Sequence, residues 1–340
     1  MTERGHYNRL VLLCLSRGRL VAGQASARAI SQRLVDLLSI DSLTDAEIEE
    51  ILDRAGNYFA ANRAGQSSQA LAGRIVFNVF YENSTRTAMS FATSAHRIGA
   101  SAISLSVEHS SVKKGETLED TARTLNAMRP DALVIRHREN GAPATVASIM
   151  DAPVINAGDG TNEHPTQALL DAAAIRHRLG KTQGLTVAIC GDIKHSRVAR
   201  SNALLLPRLG AKVRLAGPPE LMPDDIPSLS VDEAIEDADV VMMLRIQRER
   251  LAQDLGDAPG EFLDRYGLTR ERLARAAPNA VVMHPGPMNR GVEIDPAIAD
   301  DPERSLITLQ VEMGVAVRMA CLEMLILPAS EARGEVAVTR

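Results

Sequence analysis

The sequence predicts an α/β protein made of two doubly wound, parallel-sheet domains that are joined by a helix. Short β-branched runs alternate with helical patterns from residue 75 onward, and a second alternation of the same kind follows from residue 186. A long helical pattern, Pro165 to Leu179, separates the two. Parallel strands need helical crossovers, so this alternation is typical of βαβ units. Ligands gather at the carboxyl ends of parallel strands, and we expect an active site in the cleft between the domains.

Each half contributes four predicted strands. In the first half the strands are predicted at 75–81, 101–107, 132–137 and 153–158, and the helices at 87–98, 117–128 and 142–149. In the second half the strands are predicted near 186–191, 212–216, 239–244 and 280–284, and the helices near 196–209, 231–237 and 269–276. An apolar helix around 309–326 closes the pattern.

The domain boundaries follow from these patterns. Residues 1–40, rich in Arg and Ser, are predicted to be an N-terminal extension, and Thr44 with Glu47 forms a capping-box pattern at the first helix. We predict one domain over 41–165, completed by the C-terminal helix 303–328, a second domain over 166–302, and a tail over 329–340. The Gly- and Pro-containing stretch Asp254 to Gly267 is predicted to be a mobile loop.

Composition limits the partners. A chain of 340 residues is long enough for two domains, and a net charge of -5 gives no sign of a polyanionic partner. Aromatic residues make up only 3%, which weighs against a base-stacking nucleic-acid platform. A small anion still fits, because a local basic cleft can lie on an acidic protein.

The cysteines and the apolar runs point to a cytoplasmic protein. Cys14, Cys190 and Cys321 are widely spaced and form no metal-ligand pair, so we expect neither a metal nor a disulfide framework. The apolar run 10–15 has six residues, fewer than the ~7–15 of a secretory core, and Arg17 and Arg19 follow it, so we expect no signal peptide. No apolar run approaches the ~20 residues of a membrane span, so we expect no membrane partner.

The stretch ENSTRTAMSF places three hydroxyls and a guanidinium where the first strand gives way to a helix. A helix N-terminus offers unpaired N–H groups and a partial positive charge, and Arg86 can grip two phosphate oxygens. Together with Ser84, Thr85 and Thr87, it predicts a phosphate site. The alternative is that Ser84 or Thr85 only caps the helix and Arg86 is solvated.

Three further places in the first half carry donors after strands. Lys113 and Lys114 lie beside a glycine, where they reach an anion or form a solvated loop. Arg136 ends a strand and points toward the same crevice as Arg86, unless it is a plain surface residue. His164 and Gln167 open a helix and are donors for a carbonyl oxygen, unless the histidine is only a structural donor.

The second half repeats the arrangement with two arginines. Gly191 stands alone after its strand, so the G-x-G-x-x-G dinucleotide fingerprint is absent. Arg197 falls at the next helix start and Arg245 closes the strand 239–244, although either fits a surface position. Four arginines at strand ends in both halves predict a positive cleft suited to two anionic ligands.

These residues resemble the aspartate carbamoyltransferase family in order and spacing from about residue 40 to residue 326. The motifs that carry the resemblance are STRT at 84–87, KKGET at 113–117, Arg136-His137, HPTQ at 164–167, LRIQRER at 244–250 and HPGPMNR at 284–290. STRT and HPTQ are shared with ornithine carbamoyltransferases. The KKGET, LRIQRER and HPGPMNRGVEI stretches favour the aspartate branch.

The resemblance implies transfer of the carbamoyl group of carbamoyl phosphate to L-aspartate, giving N-carbamoyl-L-aspartate and phosphate in pyrimidine (UMP) biosynthesis. It implies no cofactor. It also implies a homotrimer with shared active sites, in which Ser110 and Lys114 come from the neighbouring subunit.

The resemblance assigns roles to individual positions. The catalytic positions are Arg86, Thr87, Lys114, Arg136 and His164. Carbamoyl phosphate is held by Ser84, Thr85, Arg86, Thr87, Ser110, Lys114, Arg136, His164, Gln167, Gly286 and Pro287. Aspartate is held by Lys114, Arg197, Arg245 and Gln247.

Two departures from the family pattern are visible. Ala88 and Ala92 stand where members often carry an i,i+4 charged pair, and because both partners are missing we expect activity to survive. The extension 1–40 is typical of long-chain forms that associate with a dihydroorotase-like subunit. The chain has no four-cysteine zinc cluster, so a zinc-bearing regulatory subunit would be a separate polypeptide.

Three other functions have weaker support in the sequence. An ornithine or other amino-acid carbamoyltransferase shares the first motifs, but two arginines suit a dicarboxylate better than a cationic amino acid. A nucleotide-binding regulatory protein or NAD enzyme lacks support without the glycine fingerprint. A catalytically dead scaffold is disfavoured because every predicted donor is present.

Overall fold

The computed structural model describes residues 34–106, 115–227, 229–246 and 260–332. The chain divides into two compact units. Among the described residues, the N-terminal unit comprises 34–173 and 311–332, and the central unit comprises 174–310. The boundaries predicted from sequence are 165/166 and 302/303.

The N-terminal unit is a parallel sheet with helical crossovers. Its strands are β1 (Ile75–Phe80), β2 (Ser101–Ser106), β3 (Ala132–His137) and β4 (Val154–Asp159), in the order β2-β1-β3-β4. Its helices are α1 (Asp45–Arg63), α2 (Thr85–Arg97), α3 (Leu118–Ala127) and α4 (Ala142–Ala147), followed by α5 (Pro165–Leu179), which continues into the central unit.

Side-chain caps explain where two of these helices begin. The Thr44 hydroxyl accepts the Glu47 N–H at 3.2 Å and the Glu47 carboxylate accepts the Thr44 N–H at 2.7 Å, which completes the predicted capping box. Thr117 caps α3 by accepting the Asp120 N–H at 3.1 Å. Side-chain caps therefore satisfy N–H groups that a helix start leaves unpaired.

Residues 34–40 belong to the packed structure and not to a free extension. The Leu37 N–H donates to Val154 O at 2.9 Å, and the Asn156 N–H donates back to Leu37 O at 2.8 Å. Leu37 and Ile40 are fully buried. The sequence assigned this segment to the extension because its pairing with β4 joins residues about 120 positions apart, which no local pattern reveals.

The central unit repeats the architecture. Its strands are β5 (Thr186–Cys190), β6 (Lys212–Ala216), β7 (Val240–Met243) and β8 (Val281–Met283), in the order β6-β5-β7-β8, all parallel. Its helices are α6 (Arg197–Arg208), α7 (Val231–Ile235), α8 (Glu261–Tyr266), α9 (Arg270–Leu273) and α10 (Pro296–Ala299), with a 3-10 turn at Pro219–Leu221. The last helix, α11 (Ile307–Ala332), lies mostly in the N-terminal unit.

The predicted fold class is confirmed, with two parallel four-stranded sheets in two units. The predicted mobile loop, Asp254 to Gly267, is corrected in part, because α8 occupies 261–266 and buries Phe262. The remainder of that prediction, up to residue 259, lies outside the described residues.

Both sheets contain a point where the strand order reverses. β1 pairs with β2 on one side and with β3 on the other, and β5 pairs likewise with β6 and β7. In open parallel sheets such reversals open a crevice at the carboxyl ends of the two central strands. Functional side chains are therefore expected after β1 and β3, and after β5 and β7.

Candidate active site

The first reversal point gathers the residues predicted for phosphate. Ser84 to Thr87 follow β1, and Arg136 lies in β3 directly opposite Phe80 of β1. Asp159, at the end of the next strand β4, pairs with His137 of β3. The carboxyl ends of β1, β3 and β4 thus bring the STRT, Arg136 and HPTQ motifs to one edge of the sheet.

The start of α2 is open to a ligand. Ser84 is the N-cap residue, but its side chain makes no capping hydrogen bond. The Ala88 N–H donates to Ser84 O at 3.0 Å, so the N–H groups of Thr85, Arg86 and Thr87 belong to the turn that has no partners within the helix. The alternative that Ser84 merely caps this helix is wrong.

Arg86 supplies the positive charge at this helix start. The residue is exposed overall, but partial burial of the guanidinium removes some of its hydration and lowers the pKa of Arg86 below its ordinary value. A guanidinium stays charged at neutral pH despite such a shift. Partial desolvation also weakens the competition from water for any anion that Arg86 binds.

Arg136 is held in place by two contacts. Its Nε donates to Glu82 Oε2 at 3.1 Å and its Nη1 donates to Ala157 O at 3.3 Å. Its side chain is only 15% exposed. The alternative of a solvated surface arginine is wrong, because these bonds fix the guanidinium at the strand ends.

His164 is delivered by a tightly organised loop. Asp159 accepts hydrogen bonds at 2.8–3.1 Å from the backbone N–H groups of Gly141 and Glu163 and from the side-chain amides of Asn156 and Asn162. The carboxylate therefore determines how the chain runs from β4 into α5. His164 itself is buried, with 3% exposure.

Gly160 permits this loop to turn. Its φ is +45°, and a Cβ at this position would lie 2.0 Å from Asn140 Oδ1 and 2.9 Å from Arg138 O. A side chain would therefore clash with both, which leaves glycine as the residue that fits.

Gln167 has an orientation that its neighbour determines. One end of its carboxamide lies 2.9 Å from Asp171 Oδ1. A carboxylate only accepts hydrogen bonds, so this end is Nε2, and the Oε1 atom is the acceptor left to face other groups. An acceptor is what an amide N–H of a ligand requires.

The second reversal point gathers the two arginines of the central unit. Arg197 is the first residue of α6, after β5, and Arg245 follows β7. Cys190 of β5 lies opposite Met243 of β7, and Met242 of β7 lies opposite Met283 of β8. Both arginines and the HPGP motif therefore follow strands whose ends are neighbours.

The turn before Arg197 is organised by a buried carboxylate. Asp192 Oδ1 accepts the His195 N–H at 3.1 Å and contacts His195 Nδ1 at 2.9 Å. Ser196 then caps α6 by accepting the Ala199 N–H at 3.1 Å. These bonds place Arg197 at the helix start, as the sequence predicted.

Gly191 explains how β5 and β7 come together at their ends. Its φ is +129°, and a Cβ there would lie 2.8 Å from Leu244 O. The glycine predicted to be insufficient for a dinucleotide site therefore serves close backbone packing next to Arg245.

Gly286 and Pro287 lie in the loop after β8 and are joined by a cis peptide bond. The Gly286 N–H donates to Nδ1 of the buried His284 at 2.8 Å. Pro287 is exposed and Gly286 is partly exposed.

Four further site predictions fall outside the described residues. Ser110, Lys113, Lys114 and Gln247 belong to the stretches 107–114 and 247–259. Their assignments stay predictions.

Sequence reasoning missed the buried acids that hold the predicted residues. They are Asp159, Asp171, Asp192 and Glu293. Asp159 and Asp192 each lie next to a predicted strand end, and this position was the one sign of their role in the sequence. It does not predict such a role by itself, because a local pattern does not show which acidic residues are buried.

Membrane-spanning helices and metal clusters are both absent from the described part of the chain. No helix there combines the length and apolar character needed to cross a membrane. Within the same residues, no cluster of three or more His, Cys, Asp or Glu side chains is placed to hold a metal ion.

Comparison with known families decides what this arrangement is. Residues 35–177 match the carbamoyl-P binding domain of the aspartate/ornithine carbamoyltransferases, and residues 183–325 match the Asp/Orn binding domain. The chain belongs to the aspartate/ornithine carbamoyltransferase family.

Curated relatives place the chain on the aspartate branch of that family. The aspartate carbamoyltransferase catalytic subunit of Granulibacter bethesdensis is 56% identical over 296 residues, covering 85% of this chain and 94% of the relative. That of Novosphingobium aromaticivorans is 52% identical over 322 residues, covering 91% and 94%. The enzyme is accordingly an aspartate carbamoyltransferase, and the predicted activity is confirmed.

Solved structures of the family share the fold. Aspartate transcarbamoylase of Trypanosoma cruzi in complex with carbamoyl aspartate and phosphate has a TM-score of 0.79 at 33% identity, covering 88% of this chain and 98% of the other. Ornithine carbamoyltransferase of Pyrococcus furiosus has a TM-score of 0.78 at 26% identity, covering 88% and 99%. The fold is thus common to both branches, and the branch is decided by sequence.

Proposed function

We propose that the two sheet-reversal points divide the substrates of this carbamoyltransferase between them. The N-terminal unit binds carbamoyl phosphate with Ser84 to Thr87, Arg136, His164 and Gln167. The central unit binds L-aspartate with Arg197 and Arg245. The observation that carries this proposal is that cationic side chains follow the central strands of both sheets, where open parallel sheets bind ligands.

The phosphate lies at the start of α2. The unpaired N–H groups of the first turn and the hydroxyls of Ser84, Thr85 and Thr87 donate to its oxygens. Arg86 binds two of those oxygens at once and keeps the phosphate in place as negative charge develops on the leaving group.

The carbamoyl group is polarised by three donors. The neutral amine of aspartate attacks the carbamoyl carbon, and its carbonyl π electrons move to the oxygen. Arg136, His164 and Thr87 stabilise the resulting oxyanion. Gln167 Oε1 accepts the carbamoyl N–H, in keeping with the Asp171 bond that turns Nε2 away.

Collapse of the tetrahedral intermediate completes the transfer. The oxyanion re-forms the carbonyl, the C–O bond to phosphate breaks, and its electrons leave with phosphate. A phosphate oxygen takes the amine proton. Arg197 and Arg245 hold the two carboxylates of aspartate so that its amine is oriented for attack, and this orientation supplies much of the rate.

The assembly is part of the same proposal. We infer a cytoplasmic homotrimer in which Ser110 and Lys114 of one chain reach the active site of the next. Lys114 and Gln247 also bind aspartate. Gly286 and Pro287 contact the carbamoyl group through their backbone. A separate dihydroorotase-like or regulatory subunit remains an additional proposed partner.

The phosphate assignment is tested with Arg86→Ala. Removal of a preorganised cation from a developing charge costs about 10²-fold or more in kcat. Arg97→Ala, which removes the same charge from the last turn of the same helix, is the matched control and retains normal turnover. Steady-state kinetics with carbamoyl phosphate and aspartate measure both. Near-normal turnover in Arg86→Ala would remove the phosphate role.

A further inference from the structure

His284 and Glu293 form a buried pair beneath the Gly286–Pro287 backbone. His284 is 1% exposed and Glu293 is 0% exposed. The Gly286 N–H lies 2.8 Å from His284 Nδ1, and a backbone N–H can only donate, so Nδ1 is an acceptor. The ring proton is therefore on Nε2, which lies 3.3 Å from Glu293 Oε1 and donates to it.

The same carboxylate fixes the far side of the loop. Glu293 Oε1 also accepts the N–H of Asn289. The main chain of His284 is held as well, because its N–H donates to Gln310 Oε1 at 3.0 Å. The loop from 284 to 293 thus folds around one histidine and one glutamate, and the His284 ring and the Asn289 N–H share one carboxylate oxygen.

The pair also reaches the strand end that carries Arg245. Asn289, whose N–H is held by Glu293, donates from Nδ2 to Ile246 O at 3.4 Å. Ile246 is the residue directly after Arg245. A change at Glu293 is therefore transmitted to two places, the Gly286–Pro287 backbone and the backbone after Arg245.

Stability alone does not require these groups. Burying a carboxylate against an imidazole costs desolvation, and a well-packed apolar pair of similar volume is often as stable or more so. The pair specifies one loop conformation, since only an acceptor at the Nδ1 position orients the Gly286 N–H.

We propose that His284 is a positioning residue for the carbamoyl transfer, and that Glu293 holds it in the tautomer that orients the Gly286–Pro287 backbone. The proposal rests on the function proposed above, in which that backbone contacts the carbamoyl group. Neither side chain touches substrate. Both act through the position of the loop.

Two amide substitutions separate positioning from general packing. In His284→Asn the side-chain oxygen lies as many bonds from Cα as Nδ1 and accepts the Gly286 N–H. In His284→Gln the carboxamide reaches toward Glu293 but leaves nothing at the Nδ1 position. Both variants lose the ring, so packing losses are similar.

We expect kcat/KM to fall by about 10²-fold in His284→Gln, as a misplaced reacting group would cause, and to stay within about tenfold in His284→Asn. Thermal unfolding of both variants checks that their stabilities are alike. Equal kcat/KM in two folded variants overturns the proposal, as does a loss that only follows the melting temperature.

A second pair serves if His284→Gln fails to fold. Glu293→Gln keeps an oxygen acceptor for Asn289 and for the His284 ring, so it retains activity. Glu293→Leu has no acceptor and loses about 10²-fold in kcat/KM. Equal activities of these two variants contradict the positioning role.

Arg86→Ala in the same assays distinguishes the two levels of proposal. If Arg86→Ala loses turnover while the His284 variants match one another, only the positioning role fails. If Arg86→Ala keeps normal turnover, the function proposed for the site fails with it.

Discussion

His137 and His284 use their rings in the same way, one in each unit. Each follows or ends a buried strand, and each Nδ1 accepts the N–H of the residue two positions later, Glu139 at 3.0 Å and Gly286 at 2.8 Å. A protonated ring has no acceptor and cannot make this bond. Both turns therefore depend on a neutral imidazole.

Burial favours the neutral ring at His137. It lowers the pKa of His137 from the ordinary value of 6.5, and although Glu139, Glu82 and Asp159 act in the opposite direction, burial is the largest cause. The unfolded chain therefore binds more protons at this residue than the folded chain as pH falls. The stabilisation is complete above 6.5 and is lost as pH falls through the folded-state pKa.

His137→Asn tests this sign. Asparagine keeps an acceptor for the Glu139 N–H and does not titrate, so we expect a shallower fall in unfolding free energy than in the wild type between about pH 7 and about pH 5. Urea unfolding across this range measures it. His96→Asn, at an exposed position of α2, is the control. Identical slopes in wild type and His137→Asn would contradict the assignment.

At the level of elements, α2, α5 and α11 meet on one buried cation. Arg318 of α11 donates from Nη1 to Ser90 Oγ at 2.7 Å and lies 5.0 Å from the Phe91 ring centroid, and both partners belong to α2. Asp171 of α5 is its nearby counter-charge, and burial lowers the pKa of Arg318 to about 10. Asp171 also accepts the side-chain N–H of Gln167. Arg318 of the last helix is therefore linked through Asp171 to a residue that we propose binds carbamoyl phosphate.

Arg318→Met removes the buried cation that attracts the Asp171 carboxylate and donates to Ser90 Oγ. We expect this variant to lose about 3–5 kcal/mol of unfolding free energy, as when one partner of a buried charge pair is removed. The double variant Arg318→Met with Asp171→Asn removes both charges, and we expect it to recover part of this loss. Denaturant unfolding of both variants measures the effect. A double variant no more stable than the single one would argue against the coupling.

The same elements show what could be predicted from sequence. Residues that follow a strand in the chain, such as Arg86 and Arg197, were predictable because chain position alone brings them to the ligand edge. Arg318 and Glu293 were not predictable, since their partners lie far away in sequence or depend on burial. The pairing of Leu37 with β4 was not predictable for the same reason, because its partners lie far away in sequence.

At the scale of the whole molecule, the proposed trimer has active sites that are shared between neighbouring chains. Arg86 and Lys114 of the same chain would serve different active sites of a trimer, so a mixed trimer contains an intact site. We expect inactive Arg86→Ala and inactive Lys114→Ala chains to regain activity when they are mixed and reassembled. Enzyme assays on verified mixed trimers measure it.

The matched control combines two defects in the same half-site. Arg86→Ala chains mixed with His164→Ala chains should stay inactive, because both residues serve the site of their own chain. Recovery in this control, or none in the first mixture, would indicate that the sites are not shared as proposed.

The position of α11 has a consequence for protein synthesis. Among the described residues the central unit is one continuous segment, 174–310, whereas the N-terminal unit also needs residues 311–332, which follow that segment in the chain. Domains usually fold in the order in which they leave the ribosome. Here we expect the order to be reversed, because Phe91 and Asp171 pack with Arg318, which is synthesised after the whole segment 174–310. A nascent chain arrested after residue 310 should yield a protease-resistant central unit and a digested N-terminal one.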